Sequence, residues 1–148
     1  MKLIPQELEV RLVTNWRKGE QLGEDQANRA AHDPVPVIKF FDPTGPATWL
    51  VTEMVAHNHD IPELFRLFGL CDQGLNMPEL GYVSVSELES IRVAGGRLGI
   101  ERDIHFTASY PISVYVHAAR SHGAVTVDAP VLAQAALERE RRSKSGHP

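Results

Sequence analysis

The sequence has a single cysteine, Cys71, so no disulfide can form within the chain. No apolar run approaches the roughly 20 residues that a bilayer-spanning helix needs. The stretch from Trp49 to Val51 is interrupted by Thr52 and Glu53, and the stretch from Phe65 to Leu70 by Cys71 and Asp72. The opening Met1-Lys2-Leu3-Ile4-Pro5 meets a proline before a signal-peptide core can develop, which predicts a cytoplasmic protein. Basic charge is not in excess: 15 Lys and Arg stand against 19 Asp and Glu, a net charge of −4, which excludes a uniformly basic nucleic-acid surface. Gly95-Gly96-Arg97-Leu98-Gly99 lacks the Gly-Lys-Ser/Thr ending of a phosphate loop, and Gly-x-Ser-x-Gly is absent. What is present is ordinary globular composition, 43% apolar and 23% charged over 148 residues, enough to bury a core without metal or disulfide support.

Charge is unevenly placed. Residues 1–32 carry five basic and five acidic residues, residues 33–106 carry five and eleven, and residues 107–148 carry five and three, giving 0, −6 and +2. The first block predicts a helix opened by Pro5, with Leu8, Leu12, Val13 and Trp16 on one stripe and Gly19 as its stop. Residues 20–33 have little apolar content and read as a mobile connector, or as a poorly formed helix around residues 26–31. The central block turns β-like. Val35 to Phe41 and Ala47 to Val55 flank the turn formers of residues 42–46 and predict a hairpin. Phe65 to Asp72 and Leu80 to Val85 predict two further strands joined by a Gly, Asn and Pro loop.

Ser84 and Glu87 stand at capping-box spacing, so a helix should start there and end at Gly95-Gly96. Arg102 to Phe106 predicts a short last strand. Ser109-Tyr110-Pro111 opens a helix stopped by Gly123, residues 124–127 are weakly β-like, and Pro130 to Arg142 form a final helix before a frayed end. Strands joined by hairpins and then helices predict an α+β fold: an antiparallel sheet of about five strands with helices packed on it. The expected division is one domain over residues 1–123 and a C-terminal extension over 124–148.

Two groups of side chains have the chemistry of a site. His57, His59 and Asp60 lie within four residues and offer metal ligands, or else form a hydrated turn. Alternation places Glu53 on the face of Trp49 and Val51. Asp72 closes one strand, Glu79 opens its partner, and Glu101-Arg102-Asp103 opens the last strand. If these strand ends meet, the carboxylates of Glu53, Asp72, Glu79, Glu101 and Asp103 either hold a divalent cation that activates water, or pair with Arg102 and cap loop amides. Cys71 beside Asp72 is a poor nucleophile, since a neighbouring carboxylate disfavours the thiolate. Arg139, Arg141, Arg142 and Lys144 make a basic helix end that suits the helix dipole, and they are the one place where nucleic acid could be contacted.

Residues 47–53 (Ala-Thr-Trp-Leu-Val-Thr-Glu), 68–72 (Phe-Gly-Leu-Cys-Asp), 78–84 (Pro-Glu-Leu-Gly-Tyr-Val-Ser) with Glu87-Leu88, and Ile100-Glu101-Arg102-Asp103 followed by Phe106 resemble a bacterial domain-of-unknown-function family, number 2958. The resemblance runs from about Met1 to about Gly123. It implies a gene carried on plasmids and integrative conjugative elements and implies no reaction. It draws attention to Glu53, Asp72, Glu79 and the Glu101-Arg102-Asp103 triplet, and leaves His57 and His59 outside its motifs. The leading expectation is a non-enzymatic module that binds a protein partner through the acidic rim of its sheet, without a cofactor. The competing expectation is a metal-dependent hydrolase of nucleic acid or nucleotide that uses the carboxylate cluster.

Overall fold

A computed structural model describes residues 3–23, 31–55 and 65–144. Helix α1 (Gln6–Leu22) precedes strands β1 (Ile38–Phe41), β2 (Thr48–Val55), β3 (Arg66–Asp72) and β4 (Glu79–Ser84). A short helix α2 (Val85–Ser90) follows, then β5 (Arg92–Val93), β6 (Leu98–Gly99), β7 (Glu101–Arg102), α3 (Ile112–His122) and α4 (Ala129–Lys144). The main sheet has the order β4-β3-β2-β1-β7 and is antiparallel throughout, while β5 and β6 form a separate ribbon. The chain is α+β, as its patterning predicts.

The central strands are apolar at consecutive positions, so the sheet buries both faces. Trp49, Val51 and Leu67 pack with Leu12 of α1 and Leu88 of α2, whereas Leu50 and Leu70 pack on the other face with Ile112, Tyr115 and Ala119 of α3. Leu132 and Ala135 of α4 belong to this second cluster, so the segment after Gly123 completes the cover of that face.

Five local expectations change. Helix α1 runs past Gly19 to Leu22, because Glu20 and Gln21 continue it and Gly23, at φ 79°, supplies the stop. A Cβ at Gly19 would lie 2.9 Å from Nε2 of the His32 side chain. Helix α2 is capped by Ser84, whose Oγ accepts from Glu87 N at 2.9 Å, but it ends at Ser90. Gly95 and Gly96, at φ 69° and 89°, instead turn the β5–β6 ribbon. Strand β7 holds two residues rather than running from Arg102 to Phe106, and residues 124–127 form no strand. Ser109 does not cap α3. Asp33, 80 positions away in sequence, accepts from Ser113 N at 2.9 Å and from Ser113 Oγ, while Pro34 O accepts from Ile112 N at 2.8 Å.

A bulge in β2 sets the position of Glu53. Val51 pairs with Gly69 and Glu53 with Phe68, leaving Thr52 as the extra residue. Met54 therefore joins Trp49 and Val51 in the core, and Glu53 is turned off the face that simple alternation assigns to it. Thr52 is buried, its Oγ1 donates to Phe68 O at 3.2 Å, and its own carbonyl accepts from Asn15 Nδ2 of α1 at 2.9 Å. The bulge is thus satisfied from both sides.

Candidate functional site

Strand order decides whether the predicted carboxylate cluster exists. One row of the sheet reads Glu79, Cys71, Trp49, Phe40, Arg102, and the next reads Asp72, Thr48, Phe41, Glu101. At about 4.8 Å per strand, Glu79 and Arg102 are roughly 19 Å apart on opposite edges, and Asp72 and Glu101 roughly 14 Å apart. Glu53 lies five residues along β2 from Thr48, roughly 15 Å from that row. The carboxylates share one sheet but do not meet around Arg102. Among the described residues no group of three or more His, Cys, Asp or Glu side chains is placed to hold a metal ion. His57, His59 and Asp60 lie outside the described residues.

Several of these carboxylates have structural partners instead. Asp72, 2% exposed, accepts from Gly74 N at 2.8 Å and from Val125 N at 2.9 Å, tying the β3–β4 loop and the approach to α4 to the end of β3. Glu53 Oε1 lies 2.9 Å from His32 Nε2. Burial raises the Glu53 pKa above the ordinary carboxylate value, and His32 acts in the opposite direction. Asp103 accepts from Lys39 Nζ at 3.5 Å and from His105 N at 3.0 Å. Arg102 forms no ion pair among the described residues, and its buried Nε has no hydrogen-bond partner. Burial pushes the Cys71 thiol up to about 11, which opposes a nucleophilic role.

The surface that is left open is at the other edge. Leu75 and Met77 in the β3–β4 loop are 70% and 69% exposed, and Leu80 and Tyr82 on β4 are 41% and 61% exposed. The loop that presents the first two is built rather than slack. Asp72 holds Gly74 N, and Gly74 and Asn76 take positive φ of 82° and 61°. Tyr82 packs at a tilt against Phe68, with ring centroids 5.0 Å apart and planes at 57°, and carries the Arg66 guanidinium 5.8 Å from its ring centre. Residues 67–91 contain Asp72, Glu79, Glu87 and Glu89 and no Lys, Arg or His. Of these, Asp72 is buried, whereas Glu79, Glu87 and Glu89 are exposed. Sequence alone marks Glu79 but not the strip, since nothing in Leu80-Gly81-Tyr82 says which strand ends the sheet.

An interhelical contact joins His117 Nε2 of α3 to Glu138 Oε2 of α4 at 2.7 Å, beside a cavity of about 290 Å³ whose lining includes Ser121 and His122. The His117 hydrogen bond lowers the Glu138 pKa, with Gln134 adding to it. Lys144 pairs with Glu140 at 3.0 Å in the basic last turn. No helix among the described residues is long and apolar enough to cross a membrane.

Comparison with known proteins gives one decisive match, over residues 3–126, to the family of proteins of unknown function DUF2958. The chain belongs to that family. The matched region contains the whole sheet, α3 and the exposed strip, and stops short of α4. No curated protein and no solved structure matches the chain.

Proposed function

We propose that this DUF2958 chain is a small, non-enzymatic cytoplasmic module, encoded on a plasmid or integrative element, that acts by binding a protein partner. The observation that carries the reading is the run of four large exposed apolar side chains within eight residues, Leu75, Met77, Leu80 and Tyr82, in a stretch of chain that also holds the exposed carboxylates Glu79, Glu87 and Glu89. An apolar strip held open on an ordered loop and strand has the make-up of a protein contact: an apolar centre with a charged rim. The groups with catalytic chemistry support the same reading, because Asp72, Glu53 and Asp103 are taken up by backbone amides, His32 and Lys39.

The test is affinity purification of the tagged full chain from its native host at near-physiological salt, beside a Leu80→Lys/Tyr82→Lys variant. A stoichiometric protein recovered with the wild type and lost with the variant is expected. Recovery of no partner, with the chain monodisperse and alone, overturns the reading. Saturable Mg²⁺ or Mn²⁺ binding by calorimetry that disappears in Glu79→Gln or Asp103→Asn would replace it with the hydrolase.

A further inference from the structure

The two edges of the main sheet are unlike. Strand β7 closes one edge with only two residues, a length too short to template another chain. Strand β4 forms the other edge with six residues, and it carries no Lys, no internal Pro and no bulge. These are devices by which sheet edges are usually protected.

The ladder shows which backbone groups face outward. Ser84 stands opposite Arg66, so Val85 stands opposite Phe65, and Val85 N donates to Phe65 O at 3.1 Å. That pair is hydrogen-bonded, and strict alternation makes Val83, Gly81 and Glu79 the next residues bonded to β3. The amides and carbonyls of Leu80 and Tyr82 therefore point away from the sheet, and their side chains are the exposed ones. Gly81 points to the opposite face with no atom within 4 Å of a Cβ placed there.

Resting on the partner-binding reading above, we infer that the partner adds an extended, basic and apolar peptide segment antiparallel to β4, hydrogen-bonded to the backbone of Leu80 and Tyr82. Two apolar residues of the incoming strand, at alternate positions, lie beside Tyr82 and Leu80. The residue between them sits over the open side of Gly81, where a large side chain is accommodated. The residue opposite Glu79 is Lys or Arg. Charge selects this occupant over a second copy of the chain. Joining two β4 edges would gather six exposed carboxylates from Glu79, Glu87 and Glu89 against four arginines, Arg66 and Arg92 of each copy, a net excess of negative charge that a basic segment relieves.

The probe is a capped hexapeptide, Lys-Thr-Val-Tyr-Ile-Arg, written so that Val faces Tyr82, Ile faces Leu80 and Arg faces Glu79. It is titrated by calorimetry into the full-length protein. Saturable binding is expected. N-methylation of the Val and Ile amides, which face β4, should weaken it at least tenfold, whereas N-methylation of the flanking Thr and Tyr amides should change it less than twofold. Glu79→Lys should weaken binding about fivefold, and exchanging the peptide Arg for Glu should restore it. Absence of binding, or equal sensitivity to both methylation patterns, overturns strand addition while leaving partner recovery from the host to judge the wider reading. Sedimentation that shows a dimer broken by Tyr82→Lys would also overturn it, in favour of pairing between copies.

Discussion

Truncating Asp72 to alanine separates a structural carboxylate from a functional one. Asp72 is almost fully buried and accepts two backbone amides, Gly74 N at 2.8 Å and Val125 N at 2.9 Å. Each hydrogen bond to a charged group contributes about 1.5–3 kcal/mol, and removing the acceptor leaves both amides unpaired away from water. Asp72→Ala should therefore cost about 3–5 kcal/mol and lower Tm by roughly 10–15 °C for a chain of this length. Asp72→Asn should cost about half as much, since the amide oxygen replaces one acceptor while the NH₂ faces a second N–H. Asp42 is the internal control: its Oδ1 accepts from Thr44 N at 2.8 Å in the same local pattern, but in an exposed turn. Asp42→Ala should cost less than about 1 kcal/mol. Urea unfolding followed by Trp fluorescence and far-UV circular dichroism measures all three. Equal losses for Asp72→Ala and Asp42→Ala would refute the structural assignment and return Asp72 to the residues free to act on a ligand.

Gly69 lies under the β2 bulge, where a Cβ would stand 2.0 Å from Leu50 O and 2.8 Å from Val51 Cα. Gly69→Ala must push β2 and β3 apart in the middle of the sheet and should cost about 3 kcal/mol or more, read as a Tm drop of roughly 10 °C. Two carboxylates should leave opposite marks on stability against pH. Burial raises Glu53 above 4.5, so the stability it contributes is present below that value and falls as pH rises through its folded pKa. Glu138 is lowered below 4.5 by its bond from His117, so its contribution is present above that value and is lost as pH falls through its folded pKa. Urea midpoints between about pH 3 and pH 7 should lose the first slope in Glu53→Gln and the second in Glu138→Gln. Unchanged profiles would show that neither group titrates differently in the folded and unfolded states.

Much of the fold is legible because local rules and burial agree. The hairpin around residues 42–46, the Ser84 cap, the αL stop at Gly123 and the last helix are all announced by nearby residues. What is not legible depends on distant partners. Asp33 caps a helix 80 positions away, and no local spacing encodes that. The bulge at Thr52 depends on Gly69 admitting a close strand approach, and one extra residue is enough to reverse the face of Glu53. The carboxylate cluster fails for the same kind of reason. Acidic strand ends can be read from the sequence, but whether they meet depends on strand order, and here Glu79 and Arg102 fall on opposite edges.

The charge of −6 over residues 33–106 gains a narrower meaning once eight of its eleven carboxylates are followed. Asp33 goes to the α3 terminus, Asp42 to its own turn, Glu53 to His32, Asp72 to two amides and Asp103 to Lys39. Each has a hydrogen-bond or ion-pair partner within the fold, and of the five Asp72 is fully buried. Glu79, Glu87 and Glu89 are exposed, and Glu79 lies on β4, the one long strand among the described residues whose outward amides and carbonyls have no neighbouring strand. Surface carboxylates act over a Debye length of about 8 Å at physiological salt, comparable to the reach of a strand laid beside β4. The acidic centre is better described as a folded core that uses its own charge internally, together with one edge where charge, apolar surface and free backbone coincide.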